Sequence, residues 1–175
     1  GIERHGRHAA TACGAAAVYP KQAFDAVHGF DDDYFAYSED VDLGFRLRLM
    51  GLPCVYLPAA VVHHVGSGST SQRSDLSVYY GQRNLVWTFF KNMPGLLLAL
   101  LLPFHLLMNL GMVLLSCFRK QGRVVFRAKV DAFSNLGMVL RKRKTVQKQR
   151  RAALLSLVKL MDWNPFSPVT KLLTK

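Results

Sequence analysis

A chain of 175 residues, half of them apolar and 19% charged, has material for one domain with a real core and excludes wholesale disorder. Three cysteines without a Cys-x-x-Cys pair exclude a disulfide framework and a cysteine-built zinc site, and point to a reducing compartment. The net charge of +12 lies in residues 119–159, where 13 Lys and Arg face the single acid Asp131; the remainder balances 10 basic against 10 acidic residues.

No initiator Met or signal-type pattern opens the chain, which predicts a C-terminal piece of something longer. Three regions are expected: 1–91, 92–118 and 119–175. In the first, the small apolar run 13–19 predicts a buried strand, and Pro20 opens a short helix ending at Gly29. Ser38 predicts a cap for a second helix, with Glu39, Asp40 and Asp42 in its first turn, where the helix dipole favours anions, and Gly51 closing it. Val41, Phe45 and Leu49 give that helix an apolar stripe, and Asp42 with Arg46 predicts a surface or hinge ion pair of little energetic weight. Residues 54–57 and 61–65, separated by Pro58, predict two short strands. The alternation is that of an α/β fold.

Residues 92–118 contain no Lys, Arg, Asp or Glu, and 27 such residues exceed the run of roughly 18 that nominates a membrane segment. Pro103 predicts a break that leaves two pieces, neither long enough to span. In the third region Phe126, Val130, Phe133, Gly137 and Leu140 share one helical face, with Arg127, Lys129 and the basic run 141–144 elsewhere. This is the pattern of an interfacial helix with polybasic flanks, seated on an anionic membrane surface.

The most specific text is Gly29-Phe30-Asp31-Asp32-Asp33-Tyr34-Phe35-Ala36-Tyr37-Ser38-Glu39-Asp40-Val41-Asp42-Leu43-Gly44-Phe45-Arg46. It resembles the acceptor-side signature of the family 2 inverting glycosyltransferases, in which GGFDExFF precedes EDxDLxxR. Cys13-Gly14-Ala15-Ala16-Ala17-Val18-Tyr19 is similar to the strand before that signature, and Val62-His63-His64-Val65-Gly66-Ser67-Gly68-Ser69 to the HxxGxS-like segment after it. Arg83-Asn84 with Lys91-Asn92-Met93-Pro94 resembles the RN...KNxP segment of the rhamnosyltransferase-like branch. Four elements in order cover about residues 12–92.

The resemblance implies the C-terminal portion of a GT-A nucleotide-diphospho-sugar transferase fold, followed by membrane-associated helices. It makes Asp40 the base that takes the acceptor proton, with Glu39 beside it orienting the acceptor or tuning its charge. It assigns a metal-ligand role to His64 rather than His63, by spacing to Gly66 and Ser69, for an Mg²⁺ or Mn²⁺ that absorbs the charge of the leaving diphosphate. Asp42 and Arg83 are the candidates for contact with acceptor or diphosphate. A guanidinium matches phosphate oxygens, and helix packing or a place at the membrane interface is the alternative role of Arg83. The run Asp31-Asp32-Asp33 is expected to be a solvated loop rather than a metal site. The donor-binding half of such an enzyme would lie upstream, so the piece by itself is expected to be inactive.

The implied partners are a nucleotide-sugar donor, of rhamnose, and a lipid-linked or cell-surface polysaccharide acceptor. Nucleotide sugars are cytoplasmic, and the positive-inside bias puts residues after 118 on that same side, at the cytoplasmic face of a bacterial inner membrane. Residues 92–118 are therefore expected to dip into or lie along one leaflet, with a single span as the alternative. Two rival functions remain. A non-catalytic membrane scaffold would tolerate loss of Asp40. A nonspecific nucleic-acid binder would use 119–159, but that segment lacks interleaved aromatics between Arg141 and Arg151, and no nucleic-acid partner is expected.

Overall fold

The computed structural model describes residues 7–9, 11–63 and 74–161. In chain order they form β1 (Arg7–Ala9), α1 (Lys21–Ala26), a 3-10 turn (Asp32–Tyr34), α2 (Glu39–Leu49), β2 (Cys54–Tyr56), α3 (Asp75–Asn92), α4 (Gly95–Phe118), α5 (Gly122–Ser134), α6 (Leu136–Lys148) and α7 (Leu154–Val158). β1 and β2 pair antiparallel, Arg7 opposite Tyr56 and Ala9 opposite Cys54. The described residues are thus mainly helical, and the expected α/β alternation is not seen in them.

Residues 13–19 are not a strand. Their backbone turns, with the Ala16 N–H on the Cys13 carbonyl at 3.0 Å, and the Gly14 N–H is spent on the Asp40 carboxylate at 2.8 Å. Without a ladder partner among the described residues, an apolar run of this length has nothing to hold it extended. Residues 61–63 are likewise irregular, and the rest of that predicted strand lies outside the described residues.

α2 begins and ends where its signals predict, but by different devices. Ser38 precedes it in a left-handed conformation, φ 67°, and its side chain makes no capping bond. At the other end Gly51, φ 88°, closes a Schellman turn in which the Leu52 N–H reaches the Leu47 carbonyl at 3.0 Å and the Gly51 N–H reaches Arg48 at 2.9 Å. The buried face is Asp42, Leu43, Gly44, Arg46 and Leu49, whereas Val41 is exposed. The predicted stripe is therefore rotated, because this helix buries an ion pair together with its leucines.

α3 is the axis of the fold. Ser74 caps it, its Oγ accepting from the Ser77 N–H at 3.2 Å. Val86, Trp87 and Phe90 pack with Tyr34, Ala132 and Val139, so that α5 and α6 close over α3 and over the turn before α2. The Trp87 indole N–H donates to the Ala132 carbonyl at 3.1 Å. Arg143 and Gln147 of α6 satisfy the last carbonyls of α3, Arg143 on Phe90 at 2.8 Å and Gln147 on Asn92 at 2.9 Å. A smaller cluster of Leu49, Val146 and Leu157 joins α2, α6 and α7.

α4 runs unbroken from Gly95 to Phe118 through Pro103, which corrects the expected break. Proline forfeits one backbone bond and tilts the axis, but a continuous apolar helix accommodates that loss. At 24 residues α4 is long and apolar enough to cross a membrane, and most of it is unburied. Its outward side carries Leu96, Leu100, Phe104, Leu107, Leu110, Leu114 and Phe118, one stripe from end to end. After a tight turn at 119–121, α5 folds back against α4. Gly122 permits the approach, since a Cβ there would lie 2.9 Å from Cys117 Sγ. The predicted apolar face of α5 and α6 points outward, with Phe126, Val130, Phe133 and Leu140 all exposed.

Candidate active site

The acidic block forms a loop that wraps onto α3 and delivers the first turn of α2. Asp40 stands in that turn, half-buried, with Oδ2 accepting the Gly14 N–H at 2.8 Å and Oδ1 accepting the Val41 N–H at 2.7 Å. Two backbone donors therefore fix the carboxylate plane. Glu39 is beside it, and its Oε2 is buried without a hydrogen-bond partner among the described residues. The Tyr19 hydroxyl is a second buried polar atom without such a partner. Burial raises the Tyr19 pKa, and the Asp40 carboxylate, then Cys54 and Cys13, raise it further, so the phenol stays protonated near Asp40.

The loop that presents this turn is strained. Phe35, Tyr37 and Ser38 all have positive φ, 60°, 65° and 67°, a conformation that side chains disfavour. Asn84 of α3, fully buried, holds it: its amide nitrogen lies 3.0, 2.8 and 2.7 Å from the carbonyl oxygens of Tyr34, Ala36 and Tyr37. Arg83 adds bonds to the carbonyls of Asp33 at 2.7 Å and Tyr34 at 3.2 Å, with its guanidinium 4.0 Å from the centre of the Trp87 ring. The Arg83 guanidinium thus packs on the loop and on Trp87.

Asp42 is not at the surface. It is fully buried, with Oδ2 accepting from Arg46 Nε at 2.8 Å and Oδ1 meeting Lys91 Nζ at 2.7 Å, Asn92 Nδ2 at 2.8 Å and the Tyr34 hydroxyl at 3.2 Å. Arg46 also donates to the Val27 carbonyl. The predicted pair of Asp42 and Arg46 forms, but as the centre of an enclosed network rather than on a flank, and both carboxylate oxygens are occupied. Asp42 accordingly braces α2 against α3.

Asp31 is the second hub, which corrects the solvated-loop reading. Its carboxylate meets Lys91 at 2.6 Å and Lys142 of α6 at 2.5 Å, and Lys142 also pairs with Asp33. Burial alone would raise the Asp31 pKa, but Lys142 and Lys91 outweigh it and hold the carboxyl at about 2. Because this lies below the ordinary 3.8, the linked stability, about 2 kcal/mol, is complete above the unfolded value and is lost as pH falls from about 4 toward 2. Asp31→Asn is therefore expected to be less stable at neutral pH and to lack that acid-limb slope in denaturant melts. An unchanged slope would show the pairing to be weak.

Lys91, Asn92 and Lys142 were not singled out as site residues from the sequence. Arg83-Asn84 and Lys91-Asn92 do carry a signal, because a separation of two helical turns puts both pairs on one face of α3. Lys142, 111 residues from Asp31, carries none. His64 lies outside the described residues. Among the described residues no group of three or more His, Cys, Asp or Glu could hold a metal ion. The carboxylates of Asp31, Asp33 and Asp42 are taken up by ammonium or guanidinium groups. These residues do not by themselves fit a divalent cation.

Comparison with known proteins gives the family. The glycosyl transferase family group 2 model matches residues 3–126. An N-acetylglucosaminyl-diphospho-decaprenol L-rhamnosyltransferase of Mycobacterium tuberculosis is 46% identical over 59 residues, 34% of this chain and 19% of that protein. Rhamnosyltransferase WbbL of Escherichia coli K12 is 53% identical over 36 residues, 21% of this chain and 14% of that protein. The aligned stretch is thus less than a fifth of either relative. No solved structure matches. With the family model extending over more than half its length, and with the acidic loop, the α2 carboxylates and their α3 clamp inside the match, the chain belongs to glycosyl transferase family group 2.

Proposed function

We propose that this chain carries the acceptor side of an inverting glycosyltransferase of GT-A type, with Asp40 as the general base. The acceptor hydroxyl oxygen forms the new bond to the anomeric carbon as the bond from that carbon to the diphosphate oxygen breaks on the opposite face. The hydroxyl proton passes to Asp40, and the nucleoside diphosphate leaves with the bonding pair. The observation that carries this reading is the Asp40 carboxylate, fixed by the N–H groups of Gly14 and Val41 at the start of a helix whose other end is anchored elsewhere. Glu39, whose buried Oε2 has no partner among the described residues, is suited to receive an acceptor hydroxyl. The names of the relatives favour rhamnose as the sugar and a lipid-linked diphosphate acceptor. A divalent cation, with His64 as its proposed protein ligand, belongs to the same reading.

Transfer of labelled sugar from dTDP-rhamnose to a prenyl-diphosphate-linked N-acetylglucosamine by the full-length enzyme tests the proposal. The expected product has the anomeric configuration opposite to the donor; retained configuration would overturn the mechanism.

The proposal includes a seat on the cytoplasmic leaflet, with α4 in the membrane plane. What supports it is α5, which lies back against α4 and brings the exposed Arg123 and Arg127 with it. A spanning α4 would draw these cations toward the hydrocarbon. Burying the outward leucines is worth about 1.5–3 kcal/mol each. Leu107→Glu, on the stripe and away from the acidic loop, is therefore expected to weaken vesicle partition about tenfold or more, read by flotation. The nucleic-acid reading is disfavoured by how the basic segment is used: Lys129 donates to the Gln82 carbonyl at 2.9 Å, Lys142 pairs with Asp31, and Arg143 caps α3.

A further inference from the structure

Two cations of α6, Lys142 and Arg143, are taken up by the fold, but Lys144 and Lys148 are not. They stand one turn apart and exposed, and with Arg151, just past the helix end, they line a recess of about 650 Å³ whose other walls are Met50, Thr145 and Gln149. No carboxylate lines it, and none of the three cations has an ion-pair partner among the described residues. Like charges at this helical spacing repel each other unless a counter-charge sits between them.

The recess is also anchored. The backbone N–H groups of Arg151 and Ala152 both donate to the Leu49 carbonyl, at 2.8 and 2.9 Å, which pins the Arg151 backbone to the end of α2. Val146, on the inner side of the same turn of α6, packs with Leu49 and Leu157. The three cations are thus carried on a packed junction of α2, α6 and α7.

We infer that this recess binds a diphosphate. Three cations around one hollow suit a multiply charged oxyanion better than a singly charged phosphodiester, and Arg151 can offer two parallel N–H bonds to phosphate oxygens. Thr145 supplies a hydroxyl at the same wall. Met50, at the end of α2, lies ten positions after Asp40, about 15 Å along the helix axis. The inference deepens the transferase reading and rests on it for the ligand's identity as the acceptor's own diphosphate. The test therefore reads binding, not turnover.

Inorganic pyrophosphate titrated calorimetrically into the full chain is the first arm. Lys144→Glu with Lys148→Glu is expected to raise its Kd at least about tenfold. Arg119→Glu with Arg123→Glu, an equal charge change at the exposed α4–α5 turn, is expected to leave it within twofold. The second arm compares phosphatidylcholine vesicles doped with a polyprenyl diphosphate against vesicles of equal charge doped with phosphatidylglycerol. Pyrophosphate should compete with the first and not the second. Absent pyrophosphate binding, equal losses in both double variants, or indifference between the two vesicles would each overturn the inference. Asp40→Asn should keep pyrophosphate binding while losing transfer, so binding without any wild-type transfer would sink the transferase reading and leave the anion site standing.

Discussion

Asp40→Asn is expected to lower sugar transfer by about 10²–10⁴-fold while leaving the thermal midpoint nearly unchanged. The range is what a positioned general base contributes. Folding should survive because the Asn carbonyl oxygen can accept one of the two backbone N–H groups that now hold the carboxylate, from Gly14 and Val41. The residue is also only half-buried, so no enclosed charge is orphaned. Turnover should be measured alongside a melting curve and acceptor binding. Loss of binding with kcat preserved would give Asp40 a binding role, and normal turnover would restore the scaffold reading.

Asp42→Ala should behave in the opposite way, with loss of the fold preceding any loss of chemistry. Removing that carboxylate leaves Arg46, 7% exposed, and Lys91, 2% exposed, buried without their shared anion. Breaking such a pair from one side costs about 3–5 kcal/mol, a large share of a domain's stability. Asp42→Asn keeps an acceptor for Arg46 and should lose less. Denaturant melts of the two variants decide. A loss below about 1 kcal/mol for Asp42→Ala would mean that water or a shifted Asp31 replaces the missing charge.

These two aspartates, two residues apart, show what the sequence could and could not reveal. The boundaries of α2 were legible because an acidic first turn and a terminal glycine are local signals. The environments of Asp40 and Asp42 were not, because periodicity treats every carboxylate as solvent-facing. Only the arrival of Lys91 and Asn92 from α3 makes burial of Asp42 affordable. The same limit explains Lys142, whose basic neighbours predicted a membrane-facing stretch although this ammonium turns inward to Asp31. The run 13–19 departs from its expected strand for a related reason: small apolar residues suit a strand, but strand formation needs a neighbour that local text does not name. At Pro103 the rule that proline interrupts helices was applied where surrounding leucines keep the helix continuous. The family itself was legible, and the quoted signature lies inside the stretch, residues 3–126, that the family model matches.

The way α5 and α6 return to α3 bears on how the protein can be handled in water. Ending the chain at Asn92 to discard its greasy stretch would also discard Ala132 and Val139 from above Trp87, Lys142 from Asp31, and Arg143 from the last α3 carbonyls. The shortened form would reach solution with its acidic loop unsupported. Recolouring the outward leucines of α4 one by one, with every later helix kept, is the route to solubility that spares the catalytic turn.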